Sequence, residues 1–146
     1  MGLDDRGLRA PRRGGFRGPW TMKPAFSVVP GSFTIHRLDP AETIPASVAE
    51  NPFCWIARTD EELSIACRST LAIDSDNQVT GWSCLRAQGP LDFESTGILA
   101  GITDVLAAAE ISVFAISTFD TDYVLVKADA LPAAVAALRE AGYPIG

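Results

Sequence analysis

The chain has one histidine, His36, and three scattered cysteines, Cys54, Cys67 and Cys84, with no CxxC pair. That scarcity excludes much chemistry. Structural zinc sites draw on clustered Cys and His, and no such cluster is present. The cysteines sit in separate apolar, strand-like runs and are read as buried, reduced thiols. No Ser, Cys or acid forms a recognisable nucleophile motif with His36. No phosphate loop is present either, because the Gly14-Gly15 stretch precedes no strand–helix unit. No apolar run reaches the roughly 18–20 residues of a membrane span. The basic N-terminus is not followed by the apolar stretch of a secretory signal. The expectation is a cytoplasmic protein that is not an enzyme, with no cofactor, no metal and no membrane contact.

Basic residues are also scarce outside the N-terminus. Residues 1–24 hold Arg6, Arg9, Arg12, Arg13, Arg17 and Lys23 against Asp4 and Asp5, a net +4, so the remainder carries −10 of the overall −6. A body this acidic is a poor nucleic-acid binder, because phosphate contacts need clustered Lys and Arg. The Gly, Pro and Arg content of residues 1–24 reads as a disordered extension. A more protein-like stretch begins at Met22.

What remains is enough for two small units sharing a core. Residues 25–88 form the first. Phe33–Leu38 alternates as a half-buried strand does. Pro40, Pro45 and Pro52 allow only a short helix near Ala46–Glu50. Phe53–Arg58 and Glu62–Arg68 make a hairpin around Thr59-Asp60-Glu61, and Val79–Ala87 is a fourth strand. Gly89-Pro90 opens the second unit, residues 89–146. Its helix from about Ser95 to Ala109 carries an apolar stripe of Ile98, Leu99, Ile102, Val105 and Leu106, with Ser95 or Thr96 as N-cap. Strands Val113–Thr118 and Tyr123–Lys127 follow. Asp129 is expected to cap a last helix with Pro132 in its first turn and Gly142 at its end, and Tyr143–Ile145 to add a short edge strand. The order is that of the ferredoxin-like βαββαβ unit, an α+β fold with helices on one face of an antiparallel sheet. The first unit lacks its second helix and is degenerate, or lends a strand to the second.

Four blocks, Arg58–Cys67, Gly81–Phe93, Thr96–Ile102 and Ile111–Val126, resemble ACT domains, the amino-acid-sensing modules of many biosynthetic enzymes. The last block, with its run S-T-F-x-x-D-Y-x-L-V, is the most specific. The pattern looks like stand-alone tandem-ACT proteins, themselves similar to the cytosolic arginine sensor of animals and to the regulatory part of aspartate kinases. The resemblance covers roughly residues 30–146 and implies two ACT units. It also implies a small-molecule ligand, an amino acid, held where two units meet. Carried over, one side of that site is the strand start, Ser112 and Val113. The other is the helix start, Gly97 and Ile98, with the acidic turn Thr118, Phe119 and Asp122 of a facing unit. The implied assembly is a homodimer that contacts a regulated protein partner. The alternative is an ACT-fold adaptor for protein partners that has no ligand.

Each residue has a plainer reading. Asp122 pairs with a ligand ammonium or guanidinium, or it hydrogen-bonds its own turn. Asp120 reads as the solvated turn acid. Gly97 admits a carboxylate to backbone N–H groups, or allows close packing of helix on sheet. Ser112 donates to a carboxylate, or simply begins a strand. Asp60, Glu61 and Glu62 beside Arg58 read as solvated hairpin acids, not a catalytic pair. His36 is expected exposed on its strand. Trp55 and Trp82 are expected between sheet and helices or at an interface.

Overall fold

Strands β1 (Phe26–Leu38) and β4 (Asn77–Ala87) are 13 and 11 residues long, about twice the usual five or six. The structure, a computed structural model, describes residues 23–89 and 97–146. The expected disordered extension and the proposed caps Ser95 and Thr96 therefore fall largely or wholly outside the described residues. The other elements are α1 (Ala46–Ala49), β2 (Cys54–Arg58), β3 (Leu63–Arg68), α2 (Ile98–Ala108), β5 (Val113–Ser117), β6 (Asp122–Lys127), a 3-10 turn (Ala128–Ala130) and α3 (Leu131–Glu140).

The length of β1 and β4 follows from their pairing. All six strands form one antiparallel sheet in the order β2-β3-β1-β4-β6-β5. In a βαββαβ unit the fourth strand lies beside the first. Here β4 takes that place for the unit β1-α1-β2-β3. Reciprocally, β1 takes it for the unit β4-α2-β5-β6-α3. Each long strand serves two units, so the protein is two interlocked ferredoxin-like units of the α+β class.

The helices lie on one face. Phe26, Leu85, Ala87, Val124 and Val126 pack there against Ile102 and Leu106 of α2 and Ala134 and Leu138 of α3. Further along the same face, Leu38, Leu63, Ile65 and Cys67 lie under Val48 of α1. The opposite face is also covered, by aromatics in place of helices. Phe33, Trp82, Cys84 and Leu125 are buried there, with Phe53, Trp55, Phe114 and Tyr123 packed around them. The two tryptophans thus face away from the helices, which rules out the sheet–helix core among the two expected places. Strand parity decides it: Trp82 shares a face with Cys84, while Leu85 faces α2 and α3.

Helix ends follow local chemistry. Helix α3 stops at Gly142, whose φ of 93° no β-carbon favours. There Tyr143 N donates to Leu138 O at 2.9 Å and Gly142 N to Arg139 O at 3.0 Å. Helix α2 ends the same way, but Glu110 holds the left-handed position, with φ 60°. Asp129 does not cap α3. It lies within the 3-10 turn, and Ala130 is the N-cap without a side-chain bond. The chain end adds one parallel bridge, Phe26 to Ile145.

Candidate functional site

The four-residue turn between β5 and β6 is built by its own hydroxyls. Thr118 N and Oγ1 both donate to Thr121 O, at 2.8 and 3.0 Å. Thr121 Oγ1 reaches back to Ala87 O, at 2.8 Å, and so ties the turn to the end of β4. Gly89 packs tightly here: a β-carbon would stand 3.0 Å from Asp120 O and 3.2 Å from Thr121 Cβ, so the turn would have to yield slightly to a side chain. Ser117 Oγ donates to Asp122 Oδ1 at 2.6 Å across the register pair that closes the hairpin. Phe119 projects from the turn and is 78% exposed.

Helix α2 begins at Gly97, its N-cap, with φ 79° and no side-chain cap. Space for a β-carbon there is open, so the positive φ, not crowding, calls for glycine. A link of four residues joins α2 to β5, so the helix runs antiparallel to that strand. Its N-terminus therefore lies at the turn end of the hairpin. Gly97 and Ile98 share that end with Thr118, Phe119 and Asp122.

Ser112 and Val113 do not. They begin β5, at its far end, where Val113 pairs with Val126. Four residues of strand separate them from the turn, about 13 Å. Within one chain the structure brings five of the seven candidates to one end of the sheet and leaves two at the other. Strand β5 is one of the two edge strands of the sheet, with β2 at the other side.

The remaining sequence candidates separate cleanly. Glu62 pairs with Arg37 at 3.3 Å and accepts from Ser64 Oγ at 2.6 Å. Arg58 turns from the acids and donates to the carbonyls of Pro40 and Glu42. The three thiols are free, and burial pushes Cys84 up to about 12. His36 contradicts expectation: it is 3% exposed, because the link from β3 to β4, with Leu71 and Ile73, folds beside it on this part of β1. Nothing in the alternation of Phe33–Leu38 says which of its two faces is open.

Two interlocked βαββαβ units with a helix start and an acidic turn at one end define a paired ferredoxin-like protein. The ACT domain profile matches residues 78–140, and a separate N-terminal domain profile matches residues 31–75. A crystal structure of a protein from Agobacterium tumefaciens is 36% identical, with a TM-score of 0.78 over 86% of this chain and 93% of that one. The chain belongs to the ACT domain family. The human cytosolic arginine sensor for mTORC1 subunit 1 is 42% identical over 59 residues, 40% of this chain. That match spans 18% of the sensor's length. The ligand-free regulatory subunit of aspartate kinase from Thermus thermophilus shares the fold, at TM-score 0.58 and 14% identity over 83% of this chain and 99% of that one. Among the described residues, no helix is long and apolar enough to cross a membrane.

Proposed function

We propose that this protein is a non-enzymatic regulatory sensor that binds an amino acid between ACT units of two copies. One observation carries the reading. The candidate residues fall at the two ends of β5, and β5 is an edge strand. Two copies pairing β5 to β5 in antiparallel would place Ser112 and Val113 of one copy against the helix start and acidic turn of the other. The twofold axis then makes two equivalent sites. The sequence of β5, Val-Phe-Ala-Ile-Ser, has none of the charges or prolines that usually protect an edge. In such a site Asp122 holds the ligand ammonium, and the N–H groups after Gly97 and the Ser112 hydroxyl take the carboxylate. The family match and the partial identity to an arginine sensor favour an amino-acid ligand. Binding would then change the relation of the two copies, and so contact with a protein partner in the cytoplasm.

Isothermal titration with each of the twenty amino acids, alongside sedimentation, tests this. A saturable heat with one of them from a dimer is expected. No heat with any at millimolar concentration, or binding by a strict monomer, rejects the reading.

The adaptor alternative rests on the Ser117–Asp122 bond. A carboxylate already engaged within its own hairpin is what a purely structural turn requires. In that case no amino acid alters partner capture.

A further inference from the structure

The first unit lacks a helix that its counterpart has. Between β5-β6 and the chain end, α3 covers the sheet with Ala134 and Leu138. At the equivalent place, the link from β3 to β4 forms no helix. It leaves a cavity of about 620 Å³ over the middle of β1 and the start of β4, within the size range of small-molecule sites.

The lining is not what a bare gap in a core would show. Under α3 this face is apolar, with Leu85, Val124 and Val126. In the cavity it presents Thr34, His36, Gln78 and Thr80, and the link adds polar Ser69 and Asp74 beside apolar Leu71, Ala72 and Ile73. His36 and Thr34 are each 3% exposed. The Thr34 and Ser69 hydroxyls bond each other at 2.8 Å. Both ring nitrogens of His36 are buried without a hydrogen-bond partner, and leaving buried polar atoms unpaired is costly.

A backbone device aims two of these side chains. The β1–β4 register moves from Phe33↔Trp82 to Ile35↔Val79, two residues on β1 against three on β4. The extra residue is a bulge at Gly81, with φ 77°. Upstream of it the parity of β4 reverses, so Gln78 pairs with His36 on the cavity face. Without the bulge, Gln78 and Thr80 would point to the aromatic face. Burial lowers the pKa of His36 below its ordinary value, so at neutral pH the ring offers one donor and one acceptor. Among the described residues of the lining, Asp74 is the one that is charged. It favours a cation and opposes phosphate or carboxylate.

We propose that this cavity is a second binding site, remote from the β5 ends, for a small hydroxylated amine. The hydroxyls of the ligand satisfy His36, Gln78 and Thr80, and its ammonium faces Asp74.

His36 is the sole histidine, so protein labelled with 15N in the histidine ring gives one pair of ring signals. Titrating it with glucosamine and ethanolamine, against glucose and sodium phosphate, is the test. Glucosamine is expected to shift the His36 signals saturably, at least tenfold more tightly than glucose, with phosphate inert. Asp74→Asn should weaken glucosamine at least tenfold, while Asp122→Asn at the β5 end leaves it unchanged. Thr80→Val, which keeps the fold and charge, should also weaken it. Ring signals that no amine moves would show an imidazole solvated by water alone and overturn the proposal. Equal shifts with phosphate, or indifference to Asp74→Asn, would overturn it as well.

Discussion

Trp55 and Tyr123 meet with ring centroids 5.0 Å apart and planes at 66°, although three strands lie between theirs in the sheet. In a flat sheet the four inter-strand steps would span about 19 Å. The sheet therefore curls until its outer strand β2 reaches β6. Phe53 contacts both rings, and the Arg68 and Arg86 guanidinium groups lie 4.6 and 5.4 Å from its centroid. Aromatic edge-to-face and cation–π contacts close this concave side in place of helices.

Truncating Trp55 should open that closure. The side chain is half-buried, so Trp55→Ala is expected to cost about 2–3 kcal/mol, below the range for fully buried aromatics. Trp55→Phe should recover more than half of the loss. Urea denaturation followed by far-UV circular dichroism reads both. An unchanged midpoint for Trp55→Ala would mean that the curl does not depend on this contact.

Glu110 occupies a backbone position that glycine normally takes at a helix end. Its N donates to Ala107 O, and Ile111 N donates to Leu106 O, each at 2.9 Å. Glu110→Gly keeps both bonds and relieves the left-handed strain, so a gain of about 1 kcal/mol is expected. Thermal unfolding measures it. A lower Tm would mean that the Glu110 side chain stabilises the turn by more than the strain costs.

Ligand binding at the β5 ends should depend on the charge of Asp122, not only on its shape. Asp122→Asn is expected to weaken the amino acid by roughly 10- to 100-fold, as loss of a charge-assisted bond does. Ser117→Ala frees the same carboxylate and should leave affinity equal or higher. Calorimetry on both variants separates sensor from adaptor, since an adaptor is indifferent to either.

Stability should fall on mild acidification through His36. Burial lowers its folded pKa below the 6.5 of the unfolded chain. Between the two values the unfolded chain binds more protons. The contribution is therefore complete above about pH 6.5 and is lost as pH falls through the folded value. His36→Gln should remove that slope between pH 7 and 5, measured by denaturant midpoint. Glu62 acts in a separate window. The Ser64 hydroxyl first, and Arg37 with it, hold its carboxyl below 4.5, so its contribution is present above pH 4.5 and fades below.

Much of this architecture was legible in the order and spacing of apolar residues. The helical stripe of Ile98, Ile102 and Leu106 located α2 within a few residues, while the alternation in Phe33–Leu38 found the end of β1 and missed its first seven residues. The missing second helix of the first half was readable, but the reciprocal sharing of β1 and β4 was not, since the sequence left a degenerate unit and a lent strand as alternatives. The faces were not. Alternation tells that Phe33 and Ile35 share one side and Thr34 and His36 the other, but it assumes that only one side is covered. Here helices and the β3–β4 link cover one and aromatics the other, so alternation alone leaves His36 in solvent and Trp82 under a helix or at an interface. The bulge at Gly81 is equally silent in sequence, since a glycine within a strand marks several different features. The candidate site was legible as residue types, while its division between the ends of β5 needed the topology.

Two strands that each complete the other's unit also set a timetable for synthesis. As the chain leaves the ribosome, β1 emerges early, yet its partner β4 follows only after the hairpin and link between them. The apolar side chains of Phe26 and Val29 remain without cover through that interval. Of the elements described, helix α3 and the Ile145 bridge emerge last. A nascent chain whose residues up to 76 have left the ribosome therefore has a three-stranded sheet open along β1, a substrate for chaperones and for another nascent copy. The first unit gains its full sheet when β4 emerges, and the second only when β5 and β6 follow.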